Sequence, residues 1–87
     1  MAQVRLPTAL VTLFPGTPRR LVLPGETVAD VLASLDEQVP GIHDRLLTSR
    51  HQIRDHIRLF VDGEAADLST LVPPRSTVDV VLAVSGG

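Results

Sequence analysis

The sequence predicts an α+β domain, a mixed sheet of four to five strands with one main helix packed across one face. Three observations carry that prediction. Apolar and polar residues alternate in short runs near both ends of the chain, the pattern of half-buried strands. One long stretch, Thr27 to Val39, carries helical spacing instead. The last apolar run, Val78 to Val84, is rich in β-branched residues and apolar on both faces, which suits a central strand. A single helix covers a single face, so the arrangement is two-layered.

Taken in order, Gln3 to Leu6 alternates Val4 and Leu6 with Gln3 and Arg5, a short strand that Pro7 stops or pushes to a sheet margin. Thr8 to Phe14 reads as its continuation with weaker alternation. The turn-rich Phe14-Pro15-Gly16-Thr17-Pro18 reverses the chain into a second strand, Arg19 to Leu23, which Pro24-Gly25 closes. Residues 1–23 are therefore expected to form a hairpin. In the helix, Thr27 caps and Asp30, three residues on, completes a capping box and suits the positive end of the dipole. Val28, Val31, Leu32, Leu35 and Val39 form one apolar stripe, with Asp36, Glu37 and Gln38 on the wet side.

Pro40-Gly41 ends the helix, and Ile42, Leu46 and Leu47 suit one further turn tucked beneath it. Thr48 to His56 is polar and reads as a surface loop. Ile57 to Val61 is a third strand, with Ile57, Leu59 and Val61 on one face and Arg58 and Phe60 on the other. Asp62-Gly63 is a two-residue hairpin signal that turns Glu64 to Ala66 back as a short edge strand. Leu68 and Leu71 anchor a small turn before Val72-Pro73-Pro74-Arg75-Ser76 leads into the final strand. A parallel pairing of the first and last strands, joined through the helix, makes the last strand central. That order describes a β-grasp, the ubiquitin-like fold.

Composition narrows the functions open to such a domain. The 87 residues form a single domain, 44% hydrophobic and 21% charged, with a net charge of −2. That charge leaves no electrostatic footprint for nucleic acid, and no apolar run is long enough to span a membrane. The opening Met1-Ala2-Gln3-Val4 lacks the basic and apolar regions of an export signal, so the cytoplasm is the expected compartment. With no Cys there is no disulfide frame, thiolate nucleophile or zinc–cysteine site. All eight basic residues are Arg. Without Lys there is no P-loop, no Schiff base and no acceptor for an isopeptide chain on the protein itself.

The chain closes on Ser85-Gly86-Gly87, almost bare of side chains. Ordered glycine costs the most backbone entropy, so residues 85–87 are expected to form a flexible tail. At roughly 3.3–3.6 Å per residue, about four residues beyond Ala83 reach about 13 Å. Such a tether delivers a carboxylate into a narrow cleft.

Five blocks of sequence resemble the bacterial ubiquitin-like sulfur carriers of the MoaD/ThiS type, over essentially the whole chain. They are Val4-Arg5-Leu6-Pro7-Thr8-Ala9-Leu10, Pro24-Gly25-Glu26-Thr27-Val28-Ala29-Asp30-Val31-Leu32, Pro40-Gly41-Ile42-His43-Asp44-Arg45-Leu46-Leu47, Ile57-Arg58-Leu59-Phe60-Val61-Asp62-Gly63-Glu64 and Ala83-Val84-Ser85-Gly86-Gly87. The chain departs from that family at Leu82, where proline is usual, and at Pro73-Pro74-Arg75-Ser76, where an acidic turn is usual. Asp62 stands where Asn is frequent, and the first hairpin is shorter.

The resemblance implies that the Gly87 carboxylate is adenylated by an ATP-using, ubiquitin-activating-like enzyme and converted to a thiocarboxylate. The sulfur is then donated inside a sulfur-accepting biosynthetic enzyme, for molybdopterin, thiazole, cysteine or thio-metabolite synthesis. Leu6-Pro7-Thr8 points toward the cysteine and secondary-metabolite branches. The carrier itself needs no catalytic side chain and no bound cofactor; ATP belongs to the partner. Gly86 and Gly87 let the backbone enter a channel too tight for a Cβ, and Ser85 completes the tail.

Phe60, Val81 and Ala83 are expected on the uncovered face near the root of that tail, a docking patch for both partners with Arg58 and Arg5 at its rim. His43 with Asp44, and His51 with Asp55 and His56, lack metal-ligand spacing and read as solvated surface. Two other functions fit the same fold. One is a protein modifier joined to lysines of other proteins through Gly87. The other is a plain β-grasp interaction domain whose tail is inert.

Overall fold

The computed structural model describes residues 1–83. In chain order it contains β1 (Ala2–Arg5), α1 (Thr8–Leu13), β2 (Arg20–Leu23), α2 (Val28–Gln38), α3 (Ile42–Leu46), β3 (Ile57–Val61), β4 (Glu64–Ala66) and β5 (Thr77–Leu82). The five strands form one mixed sheet in the order β2-β1-β5-β3-β4. β1 and β5 run parallel, with Gln3 opposite Thr77 and Arg5 opposite Asp79, while the remaining pairs are antiparallel. This is the β-grasp arrangement, with β5 at the centre and α2 across one face.

Local chemistry explains most of the elements. The Thr27 hydroxyl accepts from the Asp30 N–H at 3.2 Å, and the Asp30 carboxylate accepts from the Thr27 N–H at 3.3 Å. The next donors of the first turn, Val28 N–H and Ala29 N–H, find the carbonyls of Thr70 and Leu68, each at 3.0 Å. The small turn before β5 therefore caps α2 from outside. At the other end Gly41 adopts φ 97°, and Asp36 Oδ1 accepts from the N–H groups of Gly41 and His43. The Asp62-Gly63 hairpin has positive φ at both residues, 50° and 85°, as a primed turn requires.

Thr8–Leu13 corrects the sequence reading: it is a helix, not a strand. Pro7 starts it, its carbonyl accepting from the N–H groups of both Leu10 and Val11. Thr12 Oγ1 donates back to the Thr8 carbonyl at 3.0 Å. Leu10 is buried while Val11 and Phe14 pack against the core, a helical spacing hidden among residues that favour strands. β1 and β2 still pair as antiparallel neighbours, with this helix in their connection.

The core lies between α2 and the inner face of the sheet. Val28, Val31, Leu32 and Leu35 of α2 join Val4, Ile57, Leu59, Val61, Val78 and Val80, none more than 8% exposed. β5 is central, and one of its faces stays uncovered, as a single covering helix requires. Val78 is 0% exposed and Val81 is 41%.

Candidate functional site

The outer face follows from register alone. Side chains on paired residues share a face, so Arg20, Arg5, Asp79, Phe60 and Ala65 form one row across all five strands. Val81 and Arg58 form the next row toward the end of β5. Phe60 is half-buried, Val81 exposed, and Arg5, Arg20 and Arg58 are exposed.

Arg5 and Asp79 bind each other across the parallel pair by a two-pronged contact, Nε to Oδ1 and Nη2 to Oδ2, the latter at 2.7 Å. The hydrogen bond to Asp79, and then its charge, raises the Arg5 guanidinium above its ordinary value. Arg58 turns its guanidinium onto the start of β3, donating from Nη1 to the carbonyls of Asp55 at 2.7 Å and Ile57 at 3.1 Å. Ala83 lies just past β5, half-buried, and its N–H donates to the His56 carbonyl at 2.7 Å. That bond holds the last described residue against the start of β3.

The structure thus brings Phe60, Val81, Arg58 and Arg5 onto one face, with Ala83 at its end. Val84, Ser85, Gly86 and Gly87 lie outside the described residues. Asp79 is a member of the face that the sequence reading missed. A β1–β5 pairing with Arg5 opposite Asp79 was its only signal, and that requires the register. The face is apolar at Phe60 and Val81 and carries three guanidinium groups against one carboxylate, in a chain whose net charge is −2.

Among the described residues no group of three or more His, Asp or Glu gathers to hold a metal ion. The His43 and His51 rings meet edge to face with centroids 5.9 Å apart, without a third ligand. Among the described residues no helix is long and apolar enough to cross a membrane.

Comparison with known proteins agrees with this geometry. The model of the ThiS family matches residues 5–87. A chain in the crystal structure of the Amycolatopsis orientalis BexX/CysO complex superposes with a TM-score of 0.88 at 25% identity, covering 100% of both chains. Mycobacterium tuberculosis CysO, described as an antigen, gives a TM-score of 0.88 at 23% identity over 97% of this chain and 100% of its own. SAMP1 from Haloferax volcanii gives 0.79 at 28% identity over 99% of this chain and 98% of its own. No curated protein matches.

Proposed function

The chain belongs to the ThiS family, and on that premise we propose that it is a sulfur carrier whose reactive group is the Gly87 carboxylate. The observation that carries this reading is that the family match runs through the diglycine, to residue 87. A carboxylate is a poor electrophile. Attack of its oxygen on the α-phosphorus of ATP, bound by the activating enzyme, releases pyrophosphate and leaves an acyl-adenylate. A sulfide nucleophile then adds to the carbonyl carbon, AMP departs, and the thiocarboxylate remains. The thioacid donates its sulfur inside a biosynthetic acceptor enzyme. The carrier contributes placement: a central strand that ends in the tail, and the face bearing Phe60 and Val81, with Ala83 at its end and Arg5 and Arg58 beside them, for docking.

The test is pyrophosphate exchange into ATP by the cognate activating enzyme. The full chain supports exchange and the chain lacking Gly87 does not, while both keep the same circular dichroism spectrum. Equal exchange by the two chains overturns the reading.

SAMP1, one of the similar structures, is described as a small archaeal modifier protein, and this favours a second reading in which Gly87 is joined to lysines of other proteins. With no Lys of its own the chain permits single conjugates and forbids lysine-linked chains of itself. Branched peptides ending in Gly86-Gly87 on partner lysines identify this outcome by mass spectrometry.

A further inference from the structure

β1 and β5 pair only as far as Arg5 opposite Asp79, yet β5 continues to Leu82. β1 leaves the sheet because Leu6 N–H turns to the Arg19 carbonyl at 2.7 Å and Pro7 starts α1. On its other side β5 stays paired with β3 through Ile57 opposite Leu82. The Thr77 carbonyl accepts from Asp62 N–H and Ala83 N–H donates to the His56 carbonyl, so the odd-numbered residues of β5 address β3. Alternation along a strand then aims the Leu82 N–H and the carbonyls of Val80 and Leu82 into the lane that β1 vacates. Among the described residues no backbone group pairs with them there.

That lane is a groove of about 670 Å³ with Leu6 and Pro7 at its head, Val80 to Leu82 along one side and Pro18 to Arg20 along the other. Arg19 and Arg20 are exposed, and the carboxylate that lines the groove, Asp79, is already engaged by Arg5. A backbone edge that offers one donor and two acceptors fits an extended peptide. Two guanidinium groups beside it, which form no ion pair among the described residues, select a negatively charged one.

We infer that this groove binds an acidic extended segment of a partner protein as an added strand on β5. The inference rests on the carrier reading for the partner's identity, while the binding itself involves no activation chemistry.

The probe is an end-blocked hexapeptide of alternating Glu and Val, titrated into the isotopically labelled full chain and followed by amide NMR shifts. The expected shifts centre on Val81 and Leu82 and on Arg19 and Arg20. Exchanging both arginines for Glu weakens binding at least about fivefold. Leu82→Pro removes the inward N–H while leaving the β3 ladder intact, so it keeps the fold and loses the peptide. Three results overturn the inference: equal binding of the Lys–Val counterpart, unchanged binding by Leu82→Pro, or shifts confined to β4 or to the outer edge of β2. Sedimentation of the chain alone as a dimer that Arg20→Glu dissociates also overturns it, since the occupant is then a second copy. Loss of Gly87 leaves peptide binding unchanged, which keeps failure of this inference separate from failure of the carrier chemistry.

Discussion

The two faces of the sheet are built from the same strands and do different work. On the inner face Ile57, Leu59, Val78 and Val80 are at most 3% exposed against α2, and their contribution is burial. On the outer face the alternating residues Arg58, Phe60, Asp79 and Val81 meet solvent or one another. The period of two residues keeps these roles apart, because neighbouring positions in one strand cannot exchange faces without a slip in register. If the outer face docks partners as proposed, stability and recognition are separable, and substitutions can be chosen to strike either one.

The largest expected effect is on the inner face. Leu35→Ala leaves a cavity where Leu35 is 0% exposed and costs about 2–5 kcal/mol, read as a lowered denaturant midpoint at constant slope. Next comes the close approach of the chain to α2 at Gly25. A Cβ there would lie 2.7 Å from both the Cγ2 and the backbone N of Val31, so Gly25→Ala costs about 1–3 kcal/mol.

The outer face sharpens the contrast by behaving the opposite way. Phe60→Asp with Val81→Asp lowers affinity for the activating enzyme at least about tenfold, about 1.4 kcal/mol, in a direct binding titration. The same substitutions shift folding stability by only about 1 kcal/mol each, Phe60→Asp the more, because it sets a second carboxylate opposite Asp79. A loss of several kcal/mol in stability would show that the two faces are not independent.

The smallest effect sits in the turn that caps α2. The Ser69 hydroxyl and N–H, and then the Thr70 groups, hold the Asp67 carboxyl below its ordinary value of 3.8. A depressed carboxyl adds stability that is complete above the ordinary value and is lost as pH falls through the folded one. Asp67→Asn is therefore slightly less stable than the parent at neutral pH, and the difference closes in strong acid. Unfolding midpoints measured from neutral to acid pH check the sign.

What the sequence revealed was whatever short-range chemistry controls. The Thr27–Asp30 capping box spans three residues and the Asp62-Gly63 turn two, and both are seen as read. The stripe from Val28 to Leu35 carries its own period. α1 was misread because Thr8, Val11 and Thr12 favour strands, whereas the departure of β1 at Pro7 makes them helical. Arg5 and Asp79 are separated by 74 positions, and no local rule brings them together. The groove beside Val80 to Leu82 was equally invisible, since it exists only because a neighbouring strand stops early.

The most direct test of the account is the intact mass of the chain after incubation with ATP, its activating enzyme and sulfide. The account predicts that one oxygen at Gly87 is replaced by sulfur, with the change confined to the C-terminal fragment on tandem fragmentation. An unchanged mass, under conditions where that enzyme forms AMP in the presence of the chain, would contradict it.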